Sequence, residues 1–138
     1  MNTGRGRGQV LPGEQGSAVV EFAIVLPLLV MFLLGIVEFS LAYNRQQALH
    51  AAAREGGRVA ALETSTQSDI TAAVDGALTG TTFDSSRVIS ISPSTAQPCL
   101  NNQGGTVTVT VNADSDIDIP FWSTATYTLK GQAAFRCE

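Results

Sequence analysis

The 138-residue chain has one histidine, two cysteines, one tryptophan and only eight lysines and arginines. Each shortage excludes something. With His50 as the sole imidazole, no Ser/His/Asp or Cys/His arrangement can be argued from the candidates present. The cysteines form no Cys-x-x-Cys pair and have no histidine cluster to join, so the chain offers no metal site of that kind. Twelve acidic residues outweigh the basic ones to give a net charge of −4, and no Lys/Arg cluster could neutralise phosphates, which argues against nucleic-acid binding. No glycine-rich phosphate loop follows a predicted strand. Glu21 and Glu38 are too far apart on one helix to work as an acid/base pair. The expectation is a protein that is not an enzyme, with no cofactor, no metal and no nucleic-acid partner.

What the chain does have is one long apolar stretch. Phe22 to Val37 carries no charge, and the weakly polar flank Ser17–Val20 extends the apolar part to about 20 residues. At ~1.5 Å per residue that matches the ~30 Å hydrocarbon core of a bilayer. The stretch predicts a membrane-spanning helix with Glu21 just inside its entrance and Glu38 near its exit. Bulky aliphatics concentrate in residues 17–43, whereas 63–138 are rich in Thr, Ser, Ala and Gly, so any outer domain is small with a thin core. Ahead of the run, residues 1–16 (MNTGRGRGQVLPGEQG) read as a disordered, mildly basic cytoplasmic leader. A short basic segment before a first hydrophobic run predicts N-in, C-out insertion, although Arg45, Arg54 and Arg58 on the far flank even out the charge comparison.

The junction of leader and run has Gly16, four small or apolar residues, then Glu21 and Phe22. It resembles the prepilin-type processing site of the type IV pilin superfamily and its tight-adherence (Tad/Flp) branch. Over residues 16–62 the resemblance extends to TadE-like minor pseudopilins. It is carried by the VEFA opening, Pro27, GIVEF near the exit and an AAREG-R-A stretch, all in order. The resemblance implies a peptidase cut between Gly16 and Ser17 that leaves the apolar run attached, with Ser17–Glu138, 122 residues, as the mature chain. It assigns assembly and axial register to Glu21 with its aromatic neighbour Phe22. The partners it implies are the membrane, a prepilin peptidase, other pilin or pseudopilin subunits and the Tad secretion platform. The implied location is the bacterial cytoplasmic membrane, single-pass, with incorporation into an extracellular pilus left open.

Physical chemistry gives the carboxylate its own reading. An unpaired charge in the bilayer costs several kcal/mol at depth and less near an interface. After cleavage a neighbouring subunit's Ser17 α-ammonium would lie in the same layer and could pair with Glu21; the alternative is a carboxylate that snorkels to the headgroups. Pro27 has no N–H, which leaves the Ala23 carbonyl without its helical partner and predicts a kink or loosening. That break either helps the helix bend between bilayer and filament or fits the anchor into the membrane.

From Phe39 to Leu62 the pattern stays helical but turns amphipathic, with Ala42, Leu49, Ala52, Ala53, Gly56, Val59 and Ala60 recurring at three- and four-residue steps. The small residues allow close approach of a partner, either the chain's own outer domain or another subunit. A helix over residues 17–62 would be ~69 Å long. Glu63–Ser68 is a break, Ser68 caps a short helix over 69–78, and Gly80 ends it. Ile70, Ala73, Val74, Ala77 and Leu78 form that helix's apolar face. Alternation predicts strands over Arg87–Ser92, Thr106–Asn112, and Ala125–Arg136, the last bent or divided at Gly131. Pro93–Gly105 is a loop holding Cys99. Asp114–Asp118 is expected as a solvated acidic loop, with a cation site as the lesser alternative, and Pro120-Phe121-Trp122 as a lid on the core or a contact patch. If the outer part is exported, Cys99 and Cys137 form one disulfide; in a reducing compartment they are free thiols. In the chain-entropy account such a bridge stabilises by ~3–4 kcal/mol.

The expected fold is therefore α+β: residues 1–16 as leader, 17–62 as transmembrane and projecting helix, and 63–138 as a small domain with one short helix and a three- or four-stranded antiparallel sheet. The expected function is a structural, pseudopilin-like component of a Tad-type pilus or secretion apparatus. Two competitors remain. One is an uncleaved signal-anchored membrane protein with an outer binding domain. The other is a secreted domain released by a cut after Ala42, at the small-x-small sequence Ser40-Leu41-Ala42.

Overall fold

Two helices precede three strands in the computed structural model, which describes residues 12–81, 83, 87–119 and 123–138. They are α1 (Pro12–Ala60), α2 (Gln67–Leu78), β1 (Arg87–Ser92), β2 (Thr106–Ile119) and β3 (Ser123–Arg136). The strands form one antiparallel sheet in the order β1-β2-β3. This is the expected α+β arrangement, with three strands rather than four. Two compact units divide the chain, Met1–Ile36 and Val37–Glu138.

The described part of the first unit is the N-terminal half of α1. The helix opens on Pro12, whose fixed φ and missing N–H suit a first turn. Residues 12–16, expected within a disordered leader, are thus helical. Pro27 lies inside the same helix, which runs to Ala60, two residues short of the expected end.

In the second unit the C-terminal half of α1 buries Leu49, Ala52, Ala53 and Ala60 in a core shared with α2 and the sheet. The small-residue stripe therefore packs against the chain's own domain. Its glycines make the approach close: a Cβ on Gly56 would stand 2.5 Å from Val74 Cγ2, and one on Gly57 2.5 Å from Phe135 Cδ2. α2 presents Ile70, Val74 and Leu78, spaced at four residues and fully buried. Its N-cap is Thr66, not Ser68. Asp69 N donates to Thr66 Oγ1 at 3.3 Å while Thr66 N donates to Asp69 Oδ2 at 2.9 Å, a capping box that starts the helix two residues earlier than expected. Gly80 follows the C-cap Thr79 at φ +79, a conformation that suits glycine.

β2 places Val107, Val109, Val111, Ala113 and Ser115 toward the core and polar residues outward. The alternation does not stop at Asn112. Asp114–Asp118, expected as a loop, continues β2 as strand, because Asp114 and Asp116 stand on the outward face opposite threonines of β3. β3 is one strand running through Gly131, opposite Val111, with no slip in register from Thr106↔Arg136 to Ile119↔Ser123. Burying each Val, Leu or Ile of this core is worth roughly 1.5–3 kcal/mol. A disulfide joins Cys99 to Cys137, both buried, as the exported reading expected. Pro120-Phe121-Trp122 lies outside the described residues.

Candidate processing and assembly site

The residues singled out for processing and assembly, Gly16, Ser17, Glu21, Phe22 and Pro27, all sit on the N-terminal half of α1. Nothing approaches within 4 Å of the place where a Cβ on Gly16 would lie, so the glycine is sterically open. From Gly16 to Val37 every residue is exposed, Phe22 by 64% and Phe32 by 68%. An exposed apolar surface of this size is unsuited to water and suited to lipid or to other helices. The helix is long and apolar enough to cross a membrane, as a single-pass protein requires.

Glu21 is one turn along from Ser17, and the Ser17 hydroxyl donates to Glu21 Oε1 at 3.4 Å. The i,i+4 spacing on a helix puts the two side chains on one face. Phe22 follows on the helix and so points roughly 100° away from Glu21. The site is therefore a carboxylate with an internal hydroxyl neighbour beside an exposed aromatic. Among the described residues no lysine, arginine or histidine forms an ion pair with it.

A second polar constellation ties α1 to the hairpin of β2 and β3. Arg45 Nη1 donates to Ser115 Oγ at 2.8 Å and to the Asp116 carbonyl at 3.3 Å. Gln46 Nε2 donates to the Lys130 carbonyl at 2.8 Å and lies 3.2 Å from His50 Nε2. His50 thus belongs to this helix–sheet contact. In the sequence, only an alternation carried past Asn112 points to an inward-facing Ser115 that Arg45 could meet.

The acidic stretch is engaged by hydroxyls. Thr128 Oγ1 donates to Asp114 Oδ1 and Thr126 Oγ1 to Asp116 Oδ1, each at 2.7 Å. Among the described residues no group of three or more His, Cys, Asp or Glu could hold a metal ion. At the start of α2, hydrogen bonds from the Thr66 hydroxyl and backbone N–H hold the Asp69 carboxyl below its ordinary range, the hydroxyl contributing more. Arg87 and Asp75 form a partly buried ion pair with an Nη2–Oδ1 distance of 2.6 Å, which fastens β1 to α2.

Residues 16–58 match the family model described as TadE-like protein. That range starts at the open glycine, takes in Glu21, Phe22 and Pro27, and ends among the α1 residues that pack on the sheet. No curated protein and no solved structure matches the chain.

Proposed function

We propose that this chain, TadE-like over residues 16–58, is a non-enzymatic structural component of Tad pilus assembly, held in the bacterial cytoplasmic membrane by α1 with its N-terminus inside. A prepilin peptidase cuts between Gly16 and Ser17, and the mature subunit assembles through its N-terminal helix with other pilin-like subunits and the secretion platform. The observation that carries the reading is the coincidence of three features on one helix. The family match begins at Gly16, the carboxylate of Glu21 follows after four small or apolar residues, and the whole surface from Gly16 to Val37 is unpacked.

The assembly step follows from electrostatics. Cutting before Ser17 turns its backbone N–H into an ammonium group in the same layer as Glu21. In a low-dielectric layer a neighbour's ammonium on Glu21 replaces a costly unpaired carboxylate with an ion pair. The pair also fixes how far one helix is displaced along the next. The Ser17 hydroxyl gives the carboxylate a weak local donor before such a partner arrives.

The test is the intact mass and N-terminal sequence of the membrane-extracted protein, expressed with and without a prepilin peptidase. A start at Ser17 that requires the peptidase and disappears in Gly16→Ala supports the reading. A start at Met1 under both conditions leaves an uncleaved anchor. A start at Tyr43 makes the protein a secreted domain. Glu21→Gln is expected to be cut normally but to lose co-purification with other subunits.

A further inference from the structure

Among the described residues no strand pairs with the outer side of β1 or of β3 in the sheet of the second unit, and the hydrogen-bond pattern shows which backbone groups each edge leaves open. Cys137 turns both its backbone groups toward the end of β2, its N–H donating to Gly105 and its carbonyl accepting from Gly104. Backbone groups alternate in direction along an antiparallel strand. With the register unbroken, the odd-numbered residues of β3 face β2 and the even-numbered ones face away. Two contacts agree with this. Glu138 N donates outward to the Ala61 carbonyl, and the Lys130 carbonyl accepts outward from Gln46. Between these two caps, Gln132, Ala134 and Arg136 turn their N–H and C=O groups out with no hydrogen bond among the described residues.

The same count applied to β2 sends its even-numbered residues toward β1, where they meet Val88, Ser90 and Ser92. Ile89 and Ile91 therefore point their backbone groups off the opposite edge. Both edges also leave the core half-covered, through Ile89 and Ile91 on β1 and Ala133 and Phe135 on β3. An edge of this kind is a template for another strand.

We infer that a second copy of this chain supplies that strand, its β1 pairing with the Gln132–Arg136 edge of β3 so that the sheet continues from one subunit to the next. Three features favour a second copy over another occupant. The two open windows are short and of similar length. Each would cover the half-buried apolar residues of the other. Finally, copies anchored by the same helix share one membrane plane and one direction of insertion, which raises their effective concentration. β1 and β3 both run antiparallel to β2, so the strands joined between subunits are parallel to each other. The continued sheet repeats the rows of each subunit, and Ser90, Thr110 and Gln132 form one such row. Ser90 of one copy then lies beside Gln132 of its neighbour, at a strand spacing of about 4.8 Å. The anchoring argument rests on the membrane reading of α1 given above.

The test uses the full-length chain in membranes, with Ser90→Cys and Gln132→Cys singly and together, treated with a short bis-maleimide. Both positions are exposed, so the substitutions leave the core untouched, and retention of the Cys99–Cys137 disulfide checks the fold. The expected result is a ladder of covalent dimers, trimers and higher species in the double variant only. Absence of any ladder in a correctly folded double variant overturns the inference. So does dimerisation of S90C alone, which would signify a two-fold contact, or cross-linking only to a different membrane protein. The N-terminal sequence is determined on the same sample. A start at Ser17 without a ladder refutes the edge contact and leaves the pseudopilin reading intact, and a ladder from chains starting at Met1 does the reverse.

Discussion

The backbone carbonyl of Leu49 occupies the space that a side chain on Gly131 would need. α1 lies so close to β3 at this point that only hydrogen fits, and the clash would be with backbone atoms, which cannot rotate away. Gly131→Ala is expected to lower stability by about 1–3 kcal/mol, the cost of overpacking a filled site. Gly76 is the control: it lies inside α2 with nothing within 4 Å of its missing Cβ. Gly76→Ala should raise stability by about 0.5–1 kcal/mol through helix propensity alone. Chemical denaturation of the two variants, followed by circular dichroism, checks both signs.

Reduction should loosen the second unit. The disulfide closes a separation of 38 residues and fixes the end of β3 to the loop that carries Cys99. Replacing both cysteines by alanine is expected to cost about 2–5 kcal/mol. Denaturant midpoints with and without reductant should differ for the parent protein and coincide for the double variant.

Arg45 supplies the donor for Ser115, which is only 5% exposed. Arg45→Met keeps the aliphatic stem but leaves the Ser115 hydroxyl and the Asp116 carbonyl without it, at an expected cost of roughly 1–3 kcal/mol. Ser115→Ala added to that variant should cost less than it does alone, because the partner is already gone. A double-mutant cycle of unfolding free energies reads this directly. Equal costs in both backgrounds would separate the two residues energetically.

The Asp69 carboxyl is held below its ordinary value by the Thr66 hydroxyl and N–H. A group with a depressed folded pKa stabilises fully above its unfolded value, about 3.9 for Asp, and that contribution is lost as pH falls through the folded value. The parent protein should therefore lose stability on acidification below about pH 4. Asp69→Asn should be less stable at neutral pH and show a smaller acid-induced loss. Thermal melts between neutral pH and about pH 2 give the comparison; parallel curves for the two proteins would exclude a contribution from this carboxyl.

Much of the architecture could be read from local pattern. The charge-free run of 16 residues from Phe22 to Val37 predicts the exposed apolar helix, because so long an apolar surface suits lipid or other helices better than water. The three- and four-residue steps from Leu49 to Ala60 predict the buried stripe of α1, and Thr-Val alternation predicts β2. Thr66-Gln67-Ser68-Asp69 also carries its own signal. The Thr-x-x-Asp spacing is that of a capping box, a signal that the expected cap at Ser68 overlooked. The extra length of β2 was missed because three aspartates read as loop, and the acceptance of threonine hydroxyls by Asp114 and Asp116 is visible only once β3 is in place.

What the sequence determined by itself was everything that depends on periodicity and on solvent preference: the helix long and apolar enough to cross a membrane, the face each element buries, and the family to which residues 16–58 are similar. The tertiary structure decided what depends on residues far apart in the chain. It decided that the small-residue stripe meets its own sheet, that Gly131 is a contact with Leu49 and not a bend, and that Arg45 reaches Ser115 across 70 positions. Periodicity is a property of neighbours a few residues apart, whereas a steric exclusion or a cross-element hydrogen bond exists only when two distant segments share one place.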